Sequence, residues 1–320
     1  MLDNLAFAVQ YGLRNFDLQN LINFKIILLS IVIEAFPFVL LSVLISAGMN
    51  HFLSENTIQK CIPKNTLFSL LMAALLGMLF PVCDCGMVPI VRRLLLKGVP
   101  LRFAITFMLA APIINPVVAT ATWFAFNGNS LMLLYRLAAA FAIACCAGLT
   151  VDLLFGDKAL RQTSHESQET ACSCGCHASP VQPNASFAEK IMYTFRDAGA
   201  EFFDMGKYLL LGAMLGAALQ LLLPRQLLLG LGKDPLYSVI VMLLFAFSVS
   251  VCSSADAFIA ASFSSSFTPG SLIAFMVFGP MIDAKNLLML LHVFKTRFVA
   301  TLTVTVILLC GGLAYLLNVL

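Results

Sequence analysis

Eight apolar stretches follow one another along the chain, at roughly residues 24–48, 66–91, 101–126, 130–154, 202–223, 236–263, 271–292 and 298–319. A run of about 20 apolar residues is the length that a helix needs to span a bilayer core of about 30 Å. Backbone in hydrocarbon must satisfy its own hydrogen bonds, so each stretch is predicted to be helical. The fold class expected is an all-α polytopic membrane protein with about eight transmembrane helices. Composition agrees. The 320 residues are 60% hydrophobic and 11% charged, with a mean hydropathy of +0.95. A soluble domain carries about 25% charged residues.

Two stretches break the apolar pattern. Residues 1–22, interrupted by Asp3, Arg14 and Asp17, read as an interfacial segment, with no cleavable signal apparent. Residues 155–200 are polar and read as a cytoplasmic linker that ends in an amphipathic helix, "FAEKIMYTFRDAGA" at 187–200. The linker separates a first membrane unit, 23–154, from a second, 201–320. The two units resemble each other. "ITFMLAAPII" (105–114) shares Ile, Phe, Met, Pro and the final Ile with "IAFMVFGPMI" (273–282). Asn115 then answers Asp283, "EAF" at 34–36 answers "EFF" at 201–203, and Cys83 answers Cys252 after a shift of one residue. Internal repeats with interrupted helices are a transporter signature, and they place the binding site at the repeat interface near the midplane.

Charge sets topology and little else. The net charge of +3 gives no reason to expect a nucleic-acid partner. The lipid bilayer and a substrate are the partners expected, and a homo-oligomer is left open. Arg92, Arg93, Lys97 and Arg102 mark one loop as cytoplasmic. With eight crossings, both termini and the linker then fall inside, but Lys295 and Arg297 fall outside. Inverted halves would remove that conflict but need an odd number of crossings in the first half, as a re-entrant segment would give; parallel and inverted halves are both left open.

The chemistry-bearing residues sit where the apolar pattern is interrupted. In "PVCDCGMVP" (81–89), Pro81 and Pro89 remove backbone donors and are expected to break a helix, while Gly86 permits close approach. Irregular backbone at membrane depth is tolerated where it lines a cavity. Cys83, Asp84 and Cys85 would then face that cavity. Thiolates suit soft ions such as Cu(I), Zn(II) and trivalent arsenic, and an intramembrane carboxylate is expensive and usually functional. The structural alternative is a kink holding two small buried thiols. In "SVCSSADAFIAASF" (250–263), Cys252 and Asp256 are spaced to share a helix face. Close packing of small residues would explain the serines and alanines there, but not Asp256. "APIINP" (111–116) and "GPMIDAKN" (279–286) set Asn115 and Asp283 beside helix-breaking prolines, and Asp283 could pair with Lys285 or with a partner helix. A capped half-helix explains both nearly as well. Glu34 and Glu201 open equivalent segments, where the helix dipole also favours carboxylates.

Ten cysteines are present, in two tight clusters and several singles, which argues for free thiols or metal ligands over a disulfide framework. The second cluster is "CSCGCH" in the linker. Cys172, Cys174, Cys176 and His177 form a soft-metal ligand set too tightly spaced for a folded zinc module. Nothing resembles a nucleotide-binding loop, a zinc-protease motif or a serine-hydrolase elbow. The protein is therefore not expected to be an enzyme, and transport would be secondary. No cofactor is expected to stay bound; the metal is cargo.

"PVCDCGMVPIVRRLLLKGVP", "FMLAAPIINP", "VCSSADAFIAASF" and "FGPMIDAKN" resemble the predicted-permease family that includes the methylarsenite efflux permeases. The resemblance covers roughly 24–126 and 200–295, and the Cys-rich loop is similar to a branch described as copper/zinc efflux. It implies a permease of the bacterial inner membrane, with Cys83, Cys85 and Cys252 as thiols of the translocation site. The leading expectation is export of a soft metal ion (Zn or Cu) or a thiophilic trivalent arsenical from the cytoplasm. The alternative is a membrane thiol–disulfide electron conduit using Cys83 and Cys252. A permease for an unrelated solute is the third reading, against which the linker thiols speak.

Overall fold

A computed structural model describes residues 18–52, 63, 65–79, 83–156, 187–222 and 234–319. All eight apolar stretches are helical, and among the described residues there is no strand. The first half contains α1 (Leu18–Phe52), α2 (Thr66–Leu76), α3 (Asp84–Leu96), α4 (Leu101–Ala110), α5 (Pro116–Ala125) and α6 (Ser130–Phe155). The second half contains α7 (Phe187–Leu222), α8 (Pro235–Val249), α9 (Ser253–Ser262), α10 (Pro269–Met281), α11 (Ala284–Val293) and α12 (Thr296–Val319). Each half is thus one long helix, two broken segments and one closing helix. The amphipathic helix expected at 187–200 and the apolar segment at 202–223 are a single helix, α7.

The breaks follow local chemistry. Between α4 and α5, Asn115 accepts from Val118 N–H at 3.0 Å and Pro116 takes the first helical position, where its missing N–H costs nothing. Between α10 and α11, Asp283 accepts from Asn286 N–H at 2.7 Å. Between α8 and α9, Ser250 adopts a left-handed conformation (φ 49°, ψ 45°), and extended Cys252 then starts α9. Cys83 starts α3 in the same extended way. Pro89 does not end a helix as its sequence suggests; it lies inside α3. There it leaves the Cys85 carbonyl without its ladder donor. Pro81 lies outside the described residues.

Two of the eight segments do not cross the bundle. Gly77, just past α2, lies against the Ala111 backbone just past α4, and the two helices pack side by side. They therefore run in parallel to the same depth. α3 then returns to the turn at 97–100 from which α4 starts, so the α2–α3 segment enters and leaves by one face. The α8–α9 segment does the same. Ser238 Oγ meets Ser271 Oγ at 2.8 Å, Phe245 stacks on Phe275, and Ala246 lies beside Gly279, so α8 runs parallel to α10. An 11-residue helix such as α2 is about 16 Å long, half of a core of about 30 Å. The other six segments cross.

The halves are inverted. The start of α4 joins the end of α6 through Arg102 and Asp152 (3.5 Å). The end of α6 meets the start of α12, where Phe155 packs edge-on to Phe298. The far end of α12 holds the start of α10, with Gly270 N–H donating to Asn318 at 2.9 Å. The 24 residues of α12 extend about 36 Å, so α4 and α10 start at opposite faces. Arg92, Arg93, Lys97, Arg102, Lys295 and Arg297 then share one face, and the conflict in the charge count disappears. That face is cytoplasmic by the positive-inside rule. The outer ends of α1 and α12, which a count of eight crossings puts inside, lie on the other face. The linker connects two helix ends at the cytoplasmic face.

Packing is inside-out relative to a soluble protein. α10 is buried from Gly270 to Met281 at the centre of the bundle. Ile26, Ile33, Phe124, Leu153 and Leu308 on the peripheral helices are exposed, as a lipid-facing surface requires. Single cysteines placed at Asn127 and Ser265 should be labelled by a membrane-impermeant maleimide added to intact cells. One at Lys295 should label only after permeabilisation. Labelling of Asn127 and Ser265 from opposite sides would mean parallel halves.

Candidate functional site

The four breaks meet at mid-depth, where α3 packs against α11 and α5 packs against α9. A pocket lies there between α1 and the tips of the two re-entrant hairpins. Glu34 and Phe38 of α1, Cys83, Asp84 and Cys85 of the first hairpin, Ser250 and Cys252 of the second, and Lys285 of α11 line it. Its free volume is about 10 Å³, the room that one water needs.

Cys83, Asp84 and Cys85 offer ligand atoms within 4.8 Å of one another. The Cys83 and Cys85 thiols are therefore close neighbours. Cys252 Sγ lies 3.0 Å from Ser254 Oγ, and Glu34 lines the pocket with it. All six cysteines among the described residues are free thiols. Two or three thiols, a carboxylate and a further carboxyl from α1 form a donor set that suits a soft cation or a trivalent metalloid.

Lys285 is the hub of the charges around the pocket. Its Nζ donates to the Ser250 carbonyl at 3.0 Å and lies 3.2 Å from Asp84 Oδ2 and 2.6 Å from Asp283 Oδ2. Among the described residues, the ammonium is the group that faces both carboxylate oxygens. Ser250 carries the left-handed backbone that points its carbonyl at Lys285, a conformation costing about 1–2 kcal/mol for a residue with a Cβ. Gly212 of α7 lies directly against the Lys285 backbone, where a Cβ would not fit.

A second buried cation lies behind the second hairpin. Arg136 of α6 is fully buried and donates to Thr122 Oγ1 at 2.7 Å and to the Ser253 carbonyl at 2.8 Å. It acts electrostatically on Asp256 of α9. One Asp256 oxygen, Oδ2, is buried with no hydrogen-bond partner among the described residues.

The structure thus brings Cys83, Asp84, Cys85 and Cys252 to one pocket and places Asp283 one residue behind it through Lys285. It separates Asp256 from Cys252. As the residue before α9, Cys252 has extended backbone, so the helical spacing rule does not carry the pair onto one face. Cys252 faces α1, while Asp256 faces Gly279 and Arg136. Asn115 acts as a helix cap and does not line the pocket. The two matched glutamates also diverge: Glu34 reaches the pocket, whereas Glu201 is held by Ser46 at 3.2 Å and Arg93 at 3.4 Å. Cys172, Cys174, Cys176 and His177 lie outside the described residues. Arg136 is the participant that the sequence reading passed over. Its signal was an arginine inside an otherwise apolar run, 130–154.

The chain matches the family model ArsP_1, described as predicted permease, over residues 20–319. It is 44% identical over 289 residues to UPF0718 protein YcgR of Bacillus subtilis (strain 168), covering 90% of this chain and 95% of that one. It is 37% identical over 273 residues to a Streptococcus mutans serotype c (strain UA159) protein provisionally named a two-component membrane permease complex subunit. That match covers 85% of this chain and 87% of the relative. No solved structure matches.

Removing Arg136 should leave Asp256 and the Ser253 carbonyl buried without their partner. Arg136→Met is expected to destabilise the protein by about 3–5 kcal/mol, read as a lower melting temperature in detergent. Adding Asp256→Asn should recover part of that loss, and strictly additive losses would show that the two charges do not interact.

Proposed function

The chain belongs to the predicted-permease family, and from that premise we propose that it exports a soft metal ion or a thiophilic metalloid from the cytoplasm by secondary transport. It is a multi-pass plasma-membrane protein, since its relatives are bacterial. The observation that carries the reading is the pocket at the inverted-repeat interface, where Cys83 and Cys85 from one half and Cys252 from the other face the same space. Inverted repeats exchange access by rocking one unit against the other around such a site.

Each group then has a role. Cys83, Cys85 and Cys252 supply soft ligands from two elements that can move apart, so binding can be strong in one state and weak in the next. Asp84 supplies charge, and Glu34 extends the donor set from α1. Asp256 takes up a proton as the substrate leaves. Asn115 and Asp283 cap the half-helices that frame the path. Cys172, Cys174, Cys176 and His177 of the linker capture the ion at the cytoplasmic face and pass it to the pocket by ligand exchange.

A second reading has one observation in its favour: Cys83 and Cys252 line the same pocket, as a thiol–disulfide conduit requires. It leaves Asp84 and its ion pair with Lys285 without a role.

Elemental analysis of cells challenged with zinc, copper or arsenite tests the proposal. Cells with the protein should accumulate less of one element, and Cys83→Ala or Cys252→Ala should restore accumulation. Alanine across the linker thiols should lower only the apparent affinity. Unchanged accumulation of all three elements, together with a reversible Cys83–Cys252 disulfide in working protein, would favour the conduit.

A further inference from the structure

We infer that Lys285 is a tethered counter-cation that occupies the charge position of the substrate at Asp84, so that loading the pocket requires its displacement; this rests on the transport reading of the pocket. The Asp84 carboxylate is shared. It is part of the Cys83–Asp84–Cys85 ligand group, whose atoms lie within 4.8 Å of one another, and it is also the outermost of the three oxygens around Nζ, at 3.2 Å against 3.0 and 2.6 Å. A cation bound by both thiols and Asp84 must compete with the ammonium for that carboxylate. Lys285 can yield it without becoming stranded, because Asp283 and the Ser250 carbonyl still hold it. Those two groups belong to the second half, whereas Asp84 belongs to the first.

Two consequences follow. The Lys285–Asp84 contact is an ion pair tying the two repeats together at mid-depth, so displacing it loosens one repeat against the other when substrate is present. The competition applies to a species that needs the carboxylate. A thiophilic cation draws Asp84 into its ligand set, whereas a neutral arsenic hydroxide can bond to the thiols alone, with loss of water, and leave the ammonium on Asp84. Loading by displacement of Lys285 is therefore the route for a thiophilic cation.

Zn(II) binding to the detergent-solubilised full chain, with Cys172→Ser, Cys174→Ser and Cys176→Ser to remove linker sites, tests this by competition with a chromophoric chelator. If Lys285 holds Asp84 most of the time, Lys285→Met should tighten Zn(II) binding by about tenfold or more, because affinity scales with the fraction of free sites. The same substitution in an Asp84→Asn background should change binding by less than about twofold, since no carboxylate is left to contest. Equal tightening in both backgrounds would reduce Lys285 to a background field and overturn the inference, as would no tightening in folded Lys285→Met protein. If that variant does not fold, Asp283→Asn replaces it. Asparagine keeps the helix cap but throws Lys285 onto Asp84, so binding should weaken in the parent and not with Asp84→Asn; equal weakening in both would overturn the inference. Arsenite, which bonds to the thiols alone, should bind no tighter in Lys285→Met, and a parallel gain for arsenite would overturn competition at Asp84. Cys83→Ala separates the two levels: unchanged Zn(II) binding there sinks the pocket itself, whereas its loss without a Lys285 effect sinks only the competition.

Discussion

Four helices begin in the middle of the membrane, and the rest of the structure answers that constraint. The starts of α3, α5, α9 and α11 each present unpaired N–H groups and the positive end of a helix dipole where no bulk water reaches. Asn115 and Asp283 satisfy two of them by direct capping. Asp84 and Asp256 sit in the first turns of the other two, where a negative charge is favoured. Those carboxylates bring a burial cost of their own, which Lys285 and Arg136 offset. The charged interior is thus a chain of compensations that starts from broken helices.

The breaks exist because two segments turn back at mid-depth. A re-entrant hairpin exposes its tip only to other protein, so irregular backbone becomes tolerable there. Inversion brings one tip from each face to the same level, beside α1. Neither hairpin alone forms the pocket. Its lining comes from the first tip, the second tip, α1 and α11, so any motion between halves changes the set of groups around it directly. α10, buried along its length, and the close approach of α7 to α11 at Gly212 supply the rigid frame against which such motion is defined.

Much of this was legible in the residues. Hydropathy located all eight segments, and proline with an adjacent polar residue located the breaks on either side of Asn115 and Asp283. Similarity of the halves located Cys83 and Cys252 as partners. Direction was not legible, because a long apolar run reads alike whether it crosses once or turns back as a hairpin. Only Lys295 and Arg297 betrayed it, as charges on the wrong side of an eight-crossing count. Arg136 was missed for a related reason: its partners, Thr122 and the Ser253 carbonyl, come from two different segments, and no local pattern joins them. Asp256 was paired with Cys252 because helical spacing was applied across the start of a helix, where the backbone is still extended.

The repeats are most alike in backbone and least alike in charge. Asp84 and Cys85 follow Cys83, whereas Ser253 and Ser254 follow Cys252. Lys285, buried in the second half, answers Val117 in the first, and Val117 is 56% exposed. One half therefore supplies most of the ligands and the other supplies the cation that opposes them. A symmetric pair of sites would bind equally from either face and give no preference to either direction of loading. With ligands on the hairpin that dips from the cytoplasm and the counter-cation on the half whose hairpin dips from outside, the two approaches to the pocket differ chemically. Broken symmetry in charge, laid over preserved symmetry in backbone, makes the two approaches to the pocket chemically distinct.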